Sequence, residues 1–176
     1  MAFKVVIVNG VAAHGKDSFA KFASEYFDGI TINHSTVDTV KKAAKFFGAD
    51  QDVHKGDAER RLWSDMKDAW TRYNDGPFKE IIQKVEDTNR LYRHQQDIIV
   101  FVHAREPGEI QKVKNYFGKN CITVLVVMPE NGHIPDNHAD QNVFEYVYDL
   151  IVQNDGTIDD LKAAAVTFIQ QLDMIL

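Results

Sequence analysis

Residues 7–19 read IVNGVAAHGKDSF. An apolar run ends at Gly10, four residues pass, and Gly15 and Lys16 follow. This stretch narrows the possible architectures more than any other in the chain. It is close to the phosphate-loop pattern G-x-x-x-x-G-K-[ST], with Asp17 where Ser or Thr is usual and Ser18 one residue late. Gly10 and Gly15 permit backbone conformations that a side chain would block. The loop N–H groups and the N-terminus of the following helix then face an anion, and Lys16 reaches the β- and γ-phosphates. An ordinary glycine turn between strand and helix is the plainer reading. The context favours a nucleotide, because the loop follows a buried first strand and opens an amphipathic helix.

Asp17 has two readings. A carboxylate is a good hard-oxygen ligand for Mg2+, directly or through water, although it adds negative charge beside a triphosphate. It also suits a helix N-terminus as an anion. The strand DIIVFVH ends in His103, where many phosphate-loop proteins supply an acidic metal partner, and Glu106 is the nearest acid. Asp17 compensates for that missing acid if it holds metal. His103 then stands where it can orient a phosphate or a metal-bound water.

The rest of the chain alternates strands and helices. FKVVIVN (3–9), DIIVFVH (97–103) and CITVLVV (121–127) are continuous apolar runs, as expected of parallel strands covered on both faces. GITIN (29–33) and YDLIV (148–152) complete a five-stranded set. Helical spacing is carried by Phe19, Phe22, Ala23 and Phe27, and by Val37, Val40, Ala44 and Phe47 up to a stop at Gly48. Ser35-Thr36-Val37-Asp38 resembles a capping box. In the middle, Leu62, Met66, Ala69, Trp70 and Tyr73 fall on one helical face, and Pro77 opens another helix bearing Ile81, Ile82 and Val85. Pro107 opens a helix with Ile110, Val113 and Phe117, ended by Gly118, and NDGT leads into a C-terminal helix. Alternation of this kind predicts an α/β fold: three layers around a mainly parallel five-stranded sheet, with a helical insertion at about 35–95 and a lid-like loop at about 129–147. Ligands in such folds bind at the carboxyl ends of the strands.

A length of 176 residues fits one domain spanning 1–176. A net charge of −6 argues against a general nucleic-acid binder. The absence of a long apolar run argues against a membrane span. A strand at the N-terminus and a single Cys121 suit a reducing cytoplasm. His133 and His138, beside Asp136 and Asp140, lack a zinc spacing and read as a solvated loop.

The G-x-x-x-x-G-K-D-[ST] variant resembles the bacteriophage and bacterial deoxynucleoside monophosphate kinases of the adenylate-kinase-like group. Animal phosphomevalonate kinase has a similar G-K-D loop. VFVHAREPGEI (100–110) and YDLIVQNDGTIDDL (148–161) are similar to that first family's strand-end segment and last strand. STVDTVKKAAKFFG and ERRLWSDMKDAWTRYNDGPF are similar to the middle of small adenylate-kinase-like bacterial proteins. The resemblance implies Mg2+ and ATP as cofactors, a small-molecule nucleotide acceptor, and a monomer or homodimer. It places ATP on Gly10, Val11, Ala12, Ala13, His14, Gly15, Lys16, Asp17 and Ser18, with Asn154, Asp155 and Gly156 around the adenine. It places the acceptor near Ser35, Asp38, Lys41, Lys55, Arg60, Arg61 and Lys67, and Arg105 where the family carries an arginine after the third strand.

These residue types suit phosphoryl transfer, which needs positioning and cations around the moving group more than covalent help. Lys16 and Arg105 are the candidate catalytic pair, since an arginine fork binds two phosphate oxygens at once. A surface pair of Arg105 with Glu106 or Glu109 is the alternative. Residues 129–147 depart from the family pattern: they hold four acids and no Lys or Arg. The alternatives to a nucleotide acceptor are another small metabolite, or nucleotide binding without transfer.

Overall fold

The computed structural model describes residues 2–49, 56–128, 142–154 and 156–175. Five parallel strands form one sheet: β1 (Phe3–Asn9), β2 (Ile30–Ser35), β3 (Ile98–His103), β4 (Cys121–Val127) and β5 (Leu150–Gln153), in the order β2-β3-β1-β4-β5. Six α-helices connect and flank them among the described residues: α1 (Lys16–Tyr26), α2 (Asp38–Ala44), α3 (Asp57–Asn74), α4 (Gly76–Tyr92), α5 (Pro107–Phe117) and α6 (Ile158–Ile175). None of them is long and apolar enough to cross a membrane.

The apolar runs have a direct cause. Residues of β1 alternate between two cores. Val6 and Val8 pack with Phe19, Ala20 and Ala23 of α1 and with Leu161, Ala165 and Phe168 of α6. Val5 and Ile7 pack with Ile81 and Val85 of α4 and Ile110 and Val113 of α5. A strand with both faces covered has no polar side to present, so the two-residue period disappears from the sequence. Neighbours β3 and β4 lie on opposite sides of β1, so the chain order reverses there and a crevice opens at its carboxyl end. The loop 10–15 leaves β1 at that end and leads into α1.

Three elements differ from the sequence reading. Strand β2 runs on to Ser35, because Ser35 stays in register with His103. Strand β5 starts at Leu150, because Tyr148 and Asp149 turn their polar atoms to Asn9 and Thr123. On α3 the buried residues are Trp63 and Lys67, whereas Ala69 and Tyr73 are exposed. Lys67 Nζ donates to Glu109 Oε2 at 2.7 Å, and the two side chains are 11% and 10% exposed. A charged residue drawn inward by a partner on another helix is invisible to a count of apolar spacing.

The expected helix after Ser35 is also shorter. It spans Asp38–Ala44, passes through a single 3-10 turn at Lys45–Phe47, and stops at Gly48 with φ 82°. Half of the capping box forms: Asp38 Oδ2 accepts the Ser35 N–H at 2.8 Å. Phe47 is left exposed.

Candidate active site

The loop is built by close packing. A Cβ on Gly10 would stand 2.5 Å from the Val126 carbonyl oxygen of β4, so only glycine lets the chain turn against the sheet there. Ala13 adopts φ 65° and Gly15 φ 90°. A Cβ on Gly15 would meet Asn154 Nδ2 at 2.6 Å and Leu161 Cδ2 at 3.2 Å. Val11 is buried with Leu125 and Val143. Asn154 Nδ2 donates to the His14 carbonyl at 3.1 Å, and its own N–H donates to the Val127 carbonyl at 2.7 Å. His14 is buried, and its Nδ1 accepts the Met128 N–H at 3.3 Å. Thus Asn154, expected near the adenine, acts in the fold as a strut between β5 and the loop. Gly156 lies against Asp160, whose Oδ2 a Cβ there would meet at 2.3 Å. Asp155 and Lys55 lie outside the described residues, as do 129–141 of the lid-like stretch.

Helix α1 begins at Lys16 with no side-chain cap. Its first N–H groups and partial positive charge therefore face the crevice at the end of β1. The Lys16 side chain is only 14% exposed and its Nζ is 3.9 Å from Asp17 Oδ2. Asp17 is 80% exposed, and its Oδ1 is 3.5 Å from His103 Nδ1. Ser18 is exposed. His103 Nε2–H donates to Asn33 Oδ1 at 3.3 Å. Burial pushes the His103 imidazole below its usual pKa; the Asp17 carboxylate pulls the other way and Lys16 adds to the lowering. Asp38 and Lys41 act more weakly on the same ring, and Asp38 caps the N–H of Ser35, the β2 residue paired with His103. Asp17, Lys21, Ser24, Glu25, Thr31, Asn33 and His103 line an open cleft of about 420 Å³ between α1 and β2.

Other predicted residues are dispersed. Arg105 is half-buried just past β3, and its carbonyl accepts Asn9 Nδ2 at 3.1 Å. Lys41 Nζ sits 5.4 Å from the centroid of the Trp63 ring. Lys67 is engaged by Glu109, which also accepts Thr36 Oγ1 at 3.1 Å. Arg60 and Arg61 are both exposed on α3.

Sequence reasoning did not single out Asn9. It is fully buried, and its Oδ1 accepts the Gly10 N–H at 2.8 Å. Its Nδ2 donates to Arg105 O and to Tyr148 Oη, the latter at 2.6 Å. Tyr148 in turn donates to the Val143 carbonyl at 2.8 Å. One amide therefore ties the start of the loop to the arginine segment and to the chain entering β5. The available signal was a lone amide closing an otherwise apolar strand, which must find partners when buried.

The residues present fit a nucleotide and its cation. Two close-packed glycines shape the loop, a helix N-terminus and a mostly buried lysine face the same crevice, and a carboxylate and an imidazole flank it. No protein-family model matches the chain, and no curated protein matches it. Solved structures do. A shikimate kinase from Aquifex aeolicus superposes with a TM-score of 0.53 at 12% identity, over 97% of this chain and 98% of that one. A sugar kinase from Janibacter gives 0.51 at 13%, over 98% of each chain. A gluconokinase from Sinorhizobium meliloti gives 0.50 at 14%, over 98% of this chain and 95% of that one. With its all-parallel sheet, flanking helices and glycine loop, the chain has the α/β fold of the P-loop kinases.

Proposed function

We propose that the protein transfers the γ-phosphoryl group of ATP to a nucleoside or deoxynucleoside monophosphate. The observation that carries this reading is the loop itself: Gly10 and Gly15 where a Cβ would collide, opening onto α1 with Lys16 at its first position. The loop N–H groups and Lys16 hold the phosphates of the donor. Asp17 would hold Mg2+ from the protein side, and the cation would neutralise charge on the donor phosphates. Arg105 lies two residues past the end of β3 at the carboxyl edge of the sheet, where its fork can hold the acceptor phosphate. An oxygen of that phosphate attacks the γ-phosphorus, the bond to the β-bridging oxygen breaks, and ADP leaves. An ionised phosphate needs no base to deprotonate it, which agrees with a site whose groups are cationic or metal-binding.

A second reading has one observation in its favour. Solved structures similar to this chain include sugar and shikimate kinases. A hydroxyl acceptor benefits from a general base, and Asp38, beside the end of β3, supplies a carboxylate. ADP release from Mg·ATP, measured against a panel of nucleoside monophosphates, sugars and small hydroxy acids, tests both. Turnover only with monophosphates, with kcat kept in Asp38→Asn even where the acceptor KM rises, is the expected result. Turnover only with a hydroxyl acceptor, lost in Asp38→Asn, selects the second reading. No acceptor-dependent release leaves nucleotide binding without transfer.

A further inference from the structure

We infer that His103 Nδ1 and the Asp17 carboxylate together ligate the divalent cation of the bound nucleotide, as a mixed nitrogen and oxygen pair that favours a first-row transition ion such as Mn2+ over Mg2+. This rests on the nucleotide-binding reading and assigns the cation's protein ligands.

The tautomer comes first. Asn33 Oδ1 is a carbonyl oxygen and only accepts, so the His103 nitrogen 3.3 Å from it, Nε2, carries the hydrogen. The lone pair of the neutral ring then lies on Nδ1. That atom is shielded from solvent and has no hydrogen-bond partner. What it faces is Asp17 Oδ1, at 3.5 Å. With the ring neutral, Nδ1 and Oδ1 are both acceptors, and a cation between them satisfies both. Lys16 Nζ is 3.9 Å from the other carboxylate oxygen, Oδ2. Neighbouring ligands on an octahedral ion with bonds of about 2.1 Å stand about 3 Å apart. A small rotation of the exposed Asp17 side chain therefore admits a cation to both atoms. The hydrogen bond from the far ring nitrogen to a carbonyl oxygen is the arrangement that fixes metal-bound histidines. Position agrees with geometry: His103 pairs with Val8, two residues before Gly10, and Asp17 is the second residue of α1, so both donors border the loop. The nucleotide phosphates and water complete the shell, so two protein ligands suffice. Carboxylate and water alone suit Mg2+, whereas imidazole shifts preference toward transition ions.

The test uses the full chain with Mn2+ and ATP. Calorimetry first establishes binding of Mn·ATP. Pulsed electron spin-echo spectroscopy of the bound Mn2+ then detects directly attached nitrogen. The expected result is a 14N modulation that is replaced by a 15N pattern when the protein carries 15N-histidine and natural-abundance ATP. The labelled wild-type protein makes this independent of whether any variant folds. In His103→Gln the histidine coupling disappears, while Mn·ATP still binds. The preference for Mn2+ over Mg2+, read as the ratio of the two dissociation constants with ATP present, falls by about tenfold or more. Binding of Mn·ATP without any histidine coupling overturns the assignment and leaves the loop's role intact. Coupling that persists in His103→Gln also overturns it, because another histidine such as His14 is then the ligand. Failure of wild type to bind Mn·ATP overturns the nucleotide-binding reading, and this assignment with it.

Discussion

Lys16 and Asp17 are adjacent in the chain but differ in exposure, 14% against 80%, and that contrast assigns their work. A mostly buried ammonium at the head of α1 that holds a phosphate gains a charge-assisted hydrogen bond worth about 1.5–3 kcal/mol, as the proposed nucleotide binding requires. Lys16→Ala should therefore weaken Mg·ATP binding about ten- to a hundredfold, as calorimetry would read it. Equal affinity in the two proteins would remove the loop from nucleotide binding. The exposed carboxylate needs a different measurement. Asp17→Asn keeps size but removes charge, so the Mg2+ concentration giving half-maximal rate should rise. Asp17→Thr should restore much of the function, since a hydroxyl is the usual ligand at this position. Metal-free ATP should bind Asp17→Asn at least as well as wild type, one negative charge having gone from beside the phosphates. A Mg2+ titration with one shared midpoint for all three proteins would leave Asp17 as a helix N-terminal anion only. These two residues were singled out by the motif alone. Asn9 and Asn33 were not, because a motif names the atoms that touch a ligand and says nothing of the amides that hold those atoms in place.

Among the elements, α3 was read only in part: Leu62, Met66 and Trp70 pack against Val40, Ala44 and Trp63 as expected, while Lys67 is drawn inward by a contact far along the chain. Lys67 and Glu109 form a nearly buried pair, and Thr36 donates to the same carboxylate. One carboxylate thus joins α3, α5 and the entry to α2. Removing one member strands the other: Glu109→Ala should cost about 3 kcal/mol of stability, visible in chemical denaturation. The double variant Lys67→Met with Glu109→Leu should recover most of that loss, because well-packed apolar pairs often equal buried ion pairs. The double variant also decides what Lys67 is for. Restored stability with a raised acceptor KM means that Lys67 leaves Glu109 for the acceptor. Restored stability with unchanged kinetics makes the pair purely architectural. Strands were read well by contrast. Their signal is local, a continuous apolar run bounded by turn residues, and burial on both faces writes it into adjacent positions. The start of β5 slipped by two residues because the polar atoms of Tyr148 and Asp149 serve other strands. That reason also lies outside the segment.

At the scale of the molecule, two cores share one sheet, and Cys121 reports on their integrity. The thiol opens β4, packs with Val5, Ile98 and Ile110, and is 4% exposed. Burial pushes its pKa up to about 12, with Lys114 opposing and Asp149 adding to the rise. The nucleophile is the thiolate, so a native Cys121 at neutral pH is both hidden and protonated. A thiol reagent should therefore modify it only when the sheet opens. The parallel pairing of β4 with β1 on one side and β5 on the other makes that opening a global event. A ligand that binds only the folded chain lowers the population of the open form by the factor 1 + [L]/Kd. With Mg·ATP at about 100 times its Kd, labelling should slow about a hundredfold, provided that reclosing outpaces reaction. The same nucleotide added to Lys16→Ala should protect far less, which ties the protection to the loop. The measurement is the rate of modification of the single thiol by an aromatic disulfide, with and without Mg·ATP, in both proteins. Fast labelling of the folded wild type would show that β4 opens by itself. Identical rates with and without nucleotide would show that ATP does not bind the folded chain. Equal protection of wild type and Lys16→Ala would show that ATP binds elsewhere than the loop.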